Sequence, residues 1–180
     1  MHLCTFELAS RGQSGSQTGS SIGAQIGVVR GNDIVTLADK LALPHGARLS
    51  AHQPMIDLIT HWPSLRAQVA ALAAGAPADL TLDAVHLLAP IPRPGKTLAI
   101  GLNYLEHVQE NIVGESRTVP EHQIWFPKLA NAIHAPFDDI VLPRHLQSDE
   151  VDYECELAVV IGKACKNVSK ANALDYVLGY

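Results

Sequence analysis

Residues 151–162 read VDYECELAVVIG, an apolar run with a carboxylate at every second place in its first half. Side chains alternate across a strand, so Asp152, Glu154 and Glu156 are expected on one face. Tyr153, Cys155, Leu157 and Val159 fall on the other, the natural core face. Carboxylates in a row repel one another, and an unpaired one that is buried would rather take up a proton. Oxygen donors of this kind suit a hard divalent cation such as Mg²⁺, Mn²⁺ or Ca²⁺. A solvated face on an edge strand meets the same electrostatic demand without any ion. Spacing alone leaves both readings open.

His107 and Glu110 lie three residues apart in NYLEHVQE, which places them on one face of a helix. A carboxylate beside an imidazole orients it and raises its basicity, as a general base acting through water requires. A surface histidine with an incidental neighbour is the plain alternative, and the other eight of the nine histidines show no comparable spacing. Lys128 follows Trp125 and Phe126 in WFPKLANAI. It is suited to holding a substrate carboxylate as a point charge, or equally to lying along the surface with its head in water. Tyr104 is placed either at the edge of a pocket or in packing. Cys155 points away from the glutamates on a regular strand and is not positioned as a nucleophile.

The elements that must hold these groups follow from local pattern. MHLCTFEL reads as an opening strand, and IGAQIGVV, RGND and IVTL read as a β-hairpin. The loop of residues 10–21, SRGQSGSQTGSS, is flexible by composition. QPMIDLITHW and PSLRAQVAALAAG read as two helices, Pro63 suiting a first turn and Gly75 a stop. LTLDAVHLLAP returns to strand. PIPRPGK, with three prolines and a glycine, marks a boundary. It gives a unit of 1–90, a linker of 91–95 and a unit of 96–180. In the second unit TLAIG is a short buried strand, and NYLEHVQENI is a helix with Asn103 and Glu106 as capping partners. DIVLP and DYECELAVVIGK are strands, and SKANALDYVLGY is a helix capped by Ser169. The fold class is α+β.

Composition bounds the function. A net charge of −5 offers no basic surface for nucleic acid or anionic lipid. No apolar stretch is long enough to span a bilayer, and MHLCTFELASRGQ lacks the parts of a signal peptide. Three cysteines without metal spacing fit a reduced, cytoplasmic setting.

GLNYLEHVQE, then FPK, then VDYECELAVVIGKACKNVSKANALDYVLGY together resemble the fumarylacetoacetate hydrolase family from about Lys96 onward. The preceding part resembles the smaller domain of the bacterial members named as catechol-pathway hydratases or isomerases. The resemblance implies a small N-terminal α/β domain followed by the first part of a mixed β-roll, and a homodimer. It implies that Glu154 and Glu156 ligate a divalent metal, Mg²⁺ or else Mn²⁺ or Ca²⁺, that His107 with Glu110 activates water, and that Lys128 and Tyr104 lie at the substrate. Asp152 matches the pattern without a ligand role. The implied substrate is a small α-keto or diketo acid, with the metal as Lewis acid on the developing enolate. The reactions implied are C–C hydrolysis or isomerisation as in aromatic breakdown, with oxaloacetate decarboxylation as an alternative. The family's third metal carboxylate lies on a strand that would follow Tyr180. The expectation is therefore of the first part of a longer enzyme, or else a non-catalytic paralogue keeping only the dimerising fold. In either case the Tyr153, Leu157 and Val159 face is expected to lie open to water or to another chain.

Overall fold

The computed structural model describes residues 1–9, 23–109, 119–142, 145, 148 and 150–180. The chain forms two units, one of Met1–Pro92 with Ala135–Tyr180 and one of Arg93–His134. The architecture is α+β.

The first unit is built on five antiparallel strands: β1 His2–Leu8, β2 Gln25–Arg30, β3 Asp33–Thr36, β4 Leu80–Thr81 and β5 Val85–Leu88, in the spatial order β4-β3-β2-β1-β5. The expected hairpin forms as β2–β3, with Arg30 opposite Asp33 across a two-residue turn. Gly31 takes φ 61° there, a value glycine reaches without steric cost. Helix α1 (Pro54–Thr60) and helix α2 (Trp62–Gly75) follow, each opened by a proline in its first turn. They bury Met55, Leu58, Ile59, Leu65 and Val69 against Ile26, Val28 and Leu37. A second cluster of Cys4, Phe6, Ile34 and Val85 completes the packing of the sheet.

Polar side chains tie the connections down. Arg30 donates to the carbonyls of Ala73 and Ala76 at 3.3 and 2.7 Å, which satisfies the exposed C-terminal end of α2. Asp79 accepts from the Thr36 backbone N–H at 2.9 Å, the Thr36 hydroxyl at 3.0 Å and the Lys40 ammonium. The Thr5 hydroxyl donates to the carbonyl of Pro90 at 2.6 Å.

The later part of this unit departs from expectation. Only Val160–Ile161 of the long strand forms, as β8, paired with β9 (Val177–Gly179). Residues 151–159 have no regular secondary structure, and Tyr153, Leu157 and Val159 are 89%, 67% and 49% exposed. A strand exists through its ladder, and among the described residues no other strand pairs with 151–159. The face of Tyr153, Cys155, Leu157 and Val159, a core face by alternation, is therefore a surface, open as also expected for Tyr153, Leu157 and Val159. Residues 139–142 of DIVLP are likewise irregular and exposed. The last expected helix is a 3₁₀ helix, Lys170–Tyr176, without a side-chain cap from Ser169. Its final turn is lost to β-pairing, since the Gly162 N–H bonds the Tyr176 carbonyl at 2.7 Å and Val177 pairs with Ile161. Val160 and Leu178 rest against the helix-side core, which anchors this hairpin. LTLDAVHLL is broken by a 3₁₀ turn at Leu82–Ala84.

The unit of Arg93–His134 contains β6 (Thr97–Gly101) paired antiparallel with β7 (Ile124–Lys128), and the short helix α3 (Leu105–Gln109). β7 covers the WFPK segment, a strand that sequence pattern had left unassigned. TLAIG is a strand but only partly covered, with Leu98 55% exposed.

Candidate functional site

Three of the described candidate residues belong to the smaller unit. β6 ends at Gly101, opposite Ile124, and the chain then turns through Leu102, Asn103 and Tyr104 into α3. Val108 is 4% exposed and its N–H bonds the Tyr104 carbonyl at 3.1 Å. That one buried side chain seats the helix and leaves His107, one residue earlier, on the exposed side. Tyr104 is 45% exposed, so it does not serve as core packing. Glu110, the expected partner of His107, lies outside the described residues.

Lys128 closes β7, directly opposite Thr97. Its ammonium stands 5.1 Å from the centre of the Phe126 ring. Residues two apart on a strand share a face, so this cation–π contact follows from β7 being a strand at all. Reading WFPK as a strand would have shown Phe126 as the platform under the lysine. The stacked ammonium is exposed and available to an anion.

Glu154 and Glu156 belong to the other unit, on the irregular stretch 151–159, and both are exposed. Water solvates them, so burial does not demand a cation there. The Asp152 carboxylate accepts from the adjacent Tyr153 N–H at 2.8 Å. Glu154 and Glu156 make no ion pair or side-chain hydrogen bond among the described residues. Two anionic oxygen donors without a competing cation fit a hard divalent ion in donor chemistry. Among the described residues no group of three or more His, Cys, Asp or Glu side chains is assembled that could hold a metal. Cys155 and Cys165 are exposed thiols. Cys4 is buried, its thiol donating to the Gly27 carbonyl, and desolvation pushes that thiol up to about 11. A hollow of about 320 Å³ beside Ala78, Asp79, Leu80, Thr81 and Ala84 holds none of the candidate residues.

The C-terminal family of fumarylacetoacetate (FAA) hydrolase matches residues 96–180, the stretch that contains every one of these candidates. Over these residues the chain is similar to the fumarylacetoacetate hydrolase family. A fumarylacetoacetate hydrolase domain-containing protein 2 homolog of Dictyostelium discoideum is 48% identical over 101 residues, 56% of this chain and 31% of its own. The human mitochondrial oxaloacetate tautomerase FAHD2A is 44% identical over 110 residues, 61% of this chain and 33% of its own. Among solved structures, maleylpyruvate hydrolase from Sphingobium sp. SYK-6 superposes with a TM-score of 0.70 at 28% identity, over 100% of this chain and 56% of that one. The same hydrolase in complex with manganese(II) and pyruvate gives a TM-score of 0.68 at 29% identity, again over 100% of this chain and 56% of that one. The chain thus spans about a third of the length of these curated relatives and about half of that hydrolase. No helix among the described residues is long and apolar enough to cross a membrane.

Proposed function

We propose that the protein acts as a divalent-metal-dependent enzyme on small α-keto or diketo acids. The observation that carries this reading is the pair Glu154 and Glu156 within the family segment, exposed and unpaired among the described residues. These two carboxylates would hold the cation, Mg²⁺ or Mn²⁺. When bound, it would supply a Lewis acid for the keto oxygen and the charge that accumulates there. A homodimer remains part of the proposal.

The chain's own groups would do the rest. Lys128, standing over Phe126, would hold the substrate carboxylate as a point charge. The His107 imidazole would accept a proton from the carbon beside the ketone and return it to oxygen, with Glu110 as its orienting partner. Tyr104, half exposed at the entry to α3, would border the substrate.

Keto–enol isomerisation of a short dicarboxylic keto acid is the reaction we favour, because relatives named oxaloacetate tautomerase are the more similar in sequence. Hydrolysis of an acylpyruvate is the second reading, favoured by the likeness of the whole chain to maleylpyruvate hydrolase. Both are tested by following enol absorbance of oxaloacetate and cleavage of an acylpyruvate with and without added Mn²⁺. Glu154→Gln and Glu156→Gln are each expected to weaken Mn²⁺ binding by at least about tenfold, since even partners of metal ligands are worth that much. Unchanged calorimetric affinity in both variants would remove the metal assignment. Turnover of neither substrate class in the presence of the metal would overturn the reaction.

A further inference from the structure

Three described non-glycine residues adopt left-handed backbone: His45 at φ 60°, Leu102 at φ 53° and Asn167 at φ 55°. Asparagine tolerates that region, and His45 is an exposed residue that precedes Gly46 in a 3₁₀ turn. Leu102 differs from both. It is a bulky, half-buried aliphatic side chain in a conformation that pushes Cβ against the following carbonyl. A fold retains such a residue where its surroundings require it, and such places cluster at functional sites.

The location is informative. Leu102 is the first residue after β6 and lies three residues before α3. The five described residues of this helix have almost no stability of their own. Its direction is set by the turn that delivers it and by Val108, its one buried side chain among the described residues. Glycine would make the same turn without steric cost, but it would allow many exit directions. A leucine held in that conformation allows fewer.

We infer that Leu102 is a positioning residue, its left-handed backbone setting the direction in which the helix carrying His107 leaves β6. The inference rests on the reading of His107 as the proton carrier. It adds that the helix carrying the imidazole is aimed five residues away, by backbone conformation and not by a contact with substrate.

The test compares three substitutions with His107→Ala in the same assay. Leu102→Val puts a β-branched side chain where left-handed backbone is least tolerated. It is expected to lower kcat by about ten- to a hundred-fold, the usual consequence of a misplaced reacting group, with KM and Mn²⁺ affinity little changed. Leu102→Asn, at ease in that conformation, is expected to stay within about threefold of the parent, and Leu102→Gly to fall between. The His107 ring-proton resonances are expected to shift and broaden in Leu102→Val and to stay in place in Leu102→Asn. Unchanged His107 resonances in Leu102→Val, or in Leu102→Gly should the valine variant not fold, would overturn the inference whatever the activity. So would melting temperatures that fall in all three variants while kcat per folded molecule holds. Full turnover by His107→Ala would instead overturn the reading of His107, a result distinct from an unaffected Leu102→Val beside an inactive His107→Ala.

Discussion

Gly27 lies on the central strand of the five-stranded sheet, opposite Cys4 on one side and Thr36 on the other. Its backbone is not left-handed, so alanine is conformationally permitted, and only space decides the outcome. A Cβ there would stand 2.6 Å from Ile34 Cγ2, 3.0 Å from the Val35 carbonyl oxygen and 3.3 Å from the Phe6 ring. Carbon atoms in good contact are about 3.5–4.0 Å apart, so Ile34 would have to retreat by about 1 Å. Ile34, Val35 and Phe6 are all fully buried and cannot swing into solvent. The Val35 oxygen is backbone on a paired strand. Gly27→Ala is therefore expected near the upper end of overpacking costs, about 3 kcal/mol. The reduced freedom of the unfolded chain returns up to about 1 kcal/mol, leaving a net loss of about 2 kcal/mol. With a urea dependence of about 2 kcal/mol/M, the unfolding midpoint should fall by about 1 M. Circular dichroism, which follows the sheet and helices together, measures it. Ile34→Ala removes the colliding methyl and alone should cost about 2–5 kcal/mol. In the double variant the cost should fall short of the sum by about 1 kcal/mol or more. An unchanged midpoint for Gly27→Ala, or strict additivity in the double variant, would refute the steric reasoning. The neighbours of Gly27 on β2, Ile26 and Val28, also form part of the core on which Val160 rests, so damage here would loosen the hairpin that follows Glu156.

Asp79 is held below the usual carboxylate range, first by Lys40 and then by the Thr36 N–H. A depressed carboxylate contributes stability above its unfolded pKa and loses it as pH falls through the folded one, so Asp79→Asn should reduce stability at pH 7 by no more than about 1 kcal/mol. The gap between parent and variant should close as pH falls below about 4, and a gap that widened in acid would contradict this. Cys4 should resist a thiol reagent at pH 8 while the exposed Cys155 and Cys165 react, because burial holds its thiol near 11. Mass spectrometry of the alkylated protein, before and after denaturation, reads this directly; rapid native labelling of Cys4 would be inconsistent with its burial.

Where local chemistry is sufficient, the sequence alone was legible. The period of MHLCTFEL, the Arg30–Asp33 turn with its glycine, and the prolines and glycine bounding α1 and α2 each specify an element from residues a few places apart. The segment relation to the fumarylacetoacetate hydrolase family was legible for the same reason, since its motifs are contiguous. The candidate roles of Glu154, Glu156, His107 and Lys128 came from that resemblance, because alternation and spacing by themselves left the plain alternatives open.

Tertiary structure decided whatever depends on a distant partner. Apolar alternation in 151–159 is a sufficient pattern for a strand but not a sufficient cause, because backbone hydrogen bonds must be completed by another strand. Val160 and Ile161 find that partner in Val177–Gly179, and in doing so unwind the end of the helix expected there. Ile124–Lys128, with a proline inside it, gave a weak strand signal, yet it forms because β6 supplies a ladder along an exposed edge. The turn at Leu102 was hidden for a different reason. Leucine is among the residues least suited to left-handed backbone, and only the geometry between β6 and α3 shows why one is held there.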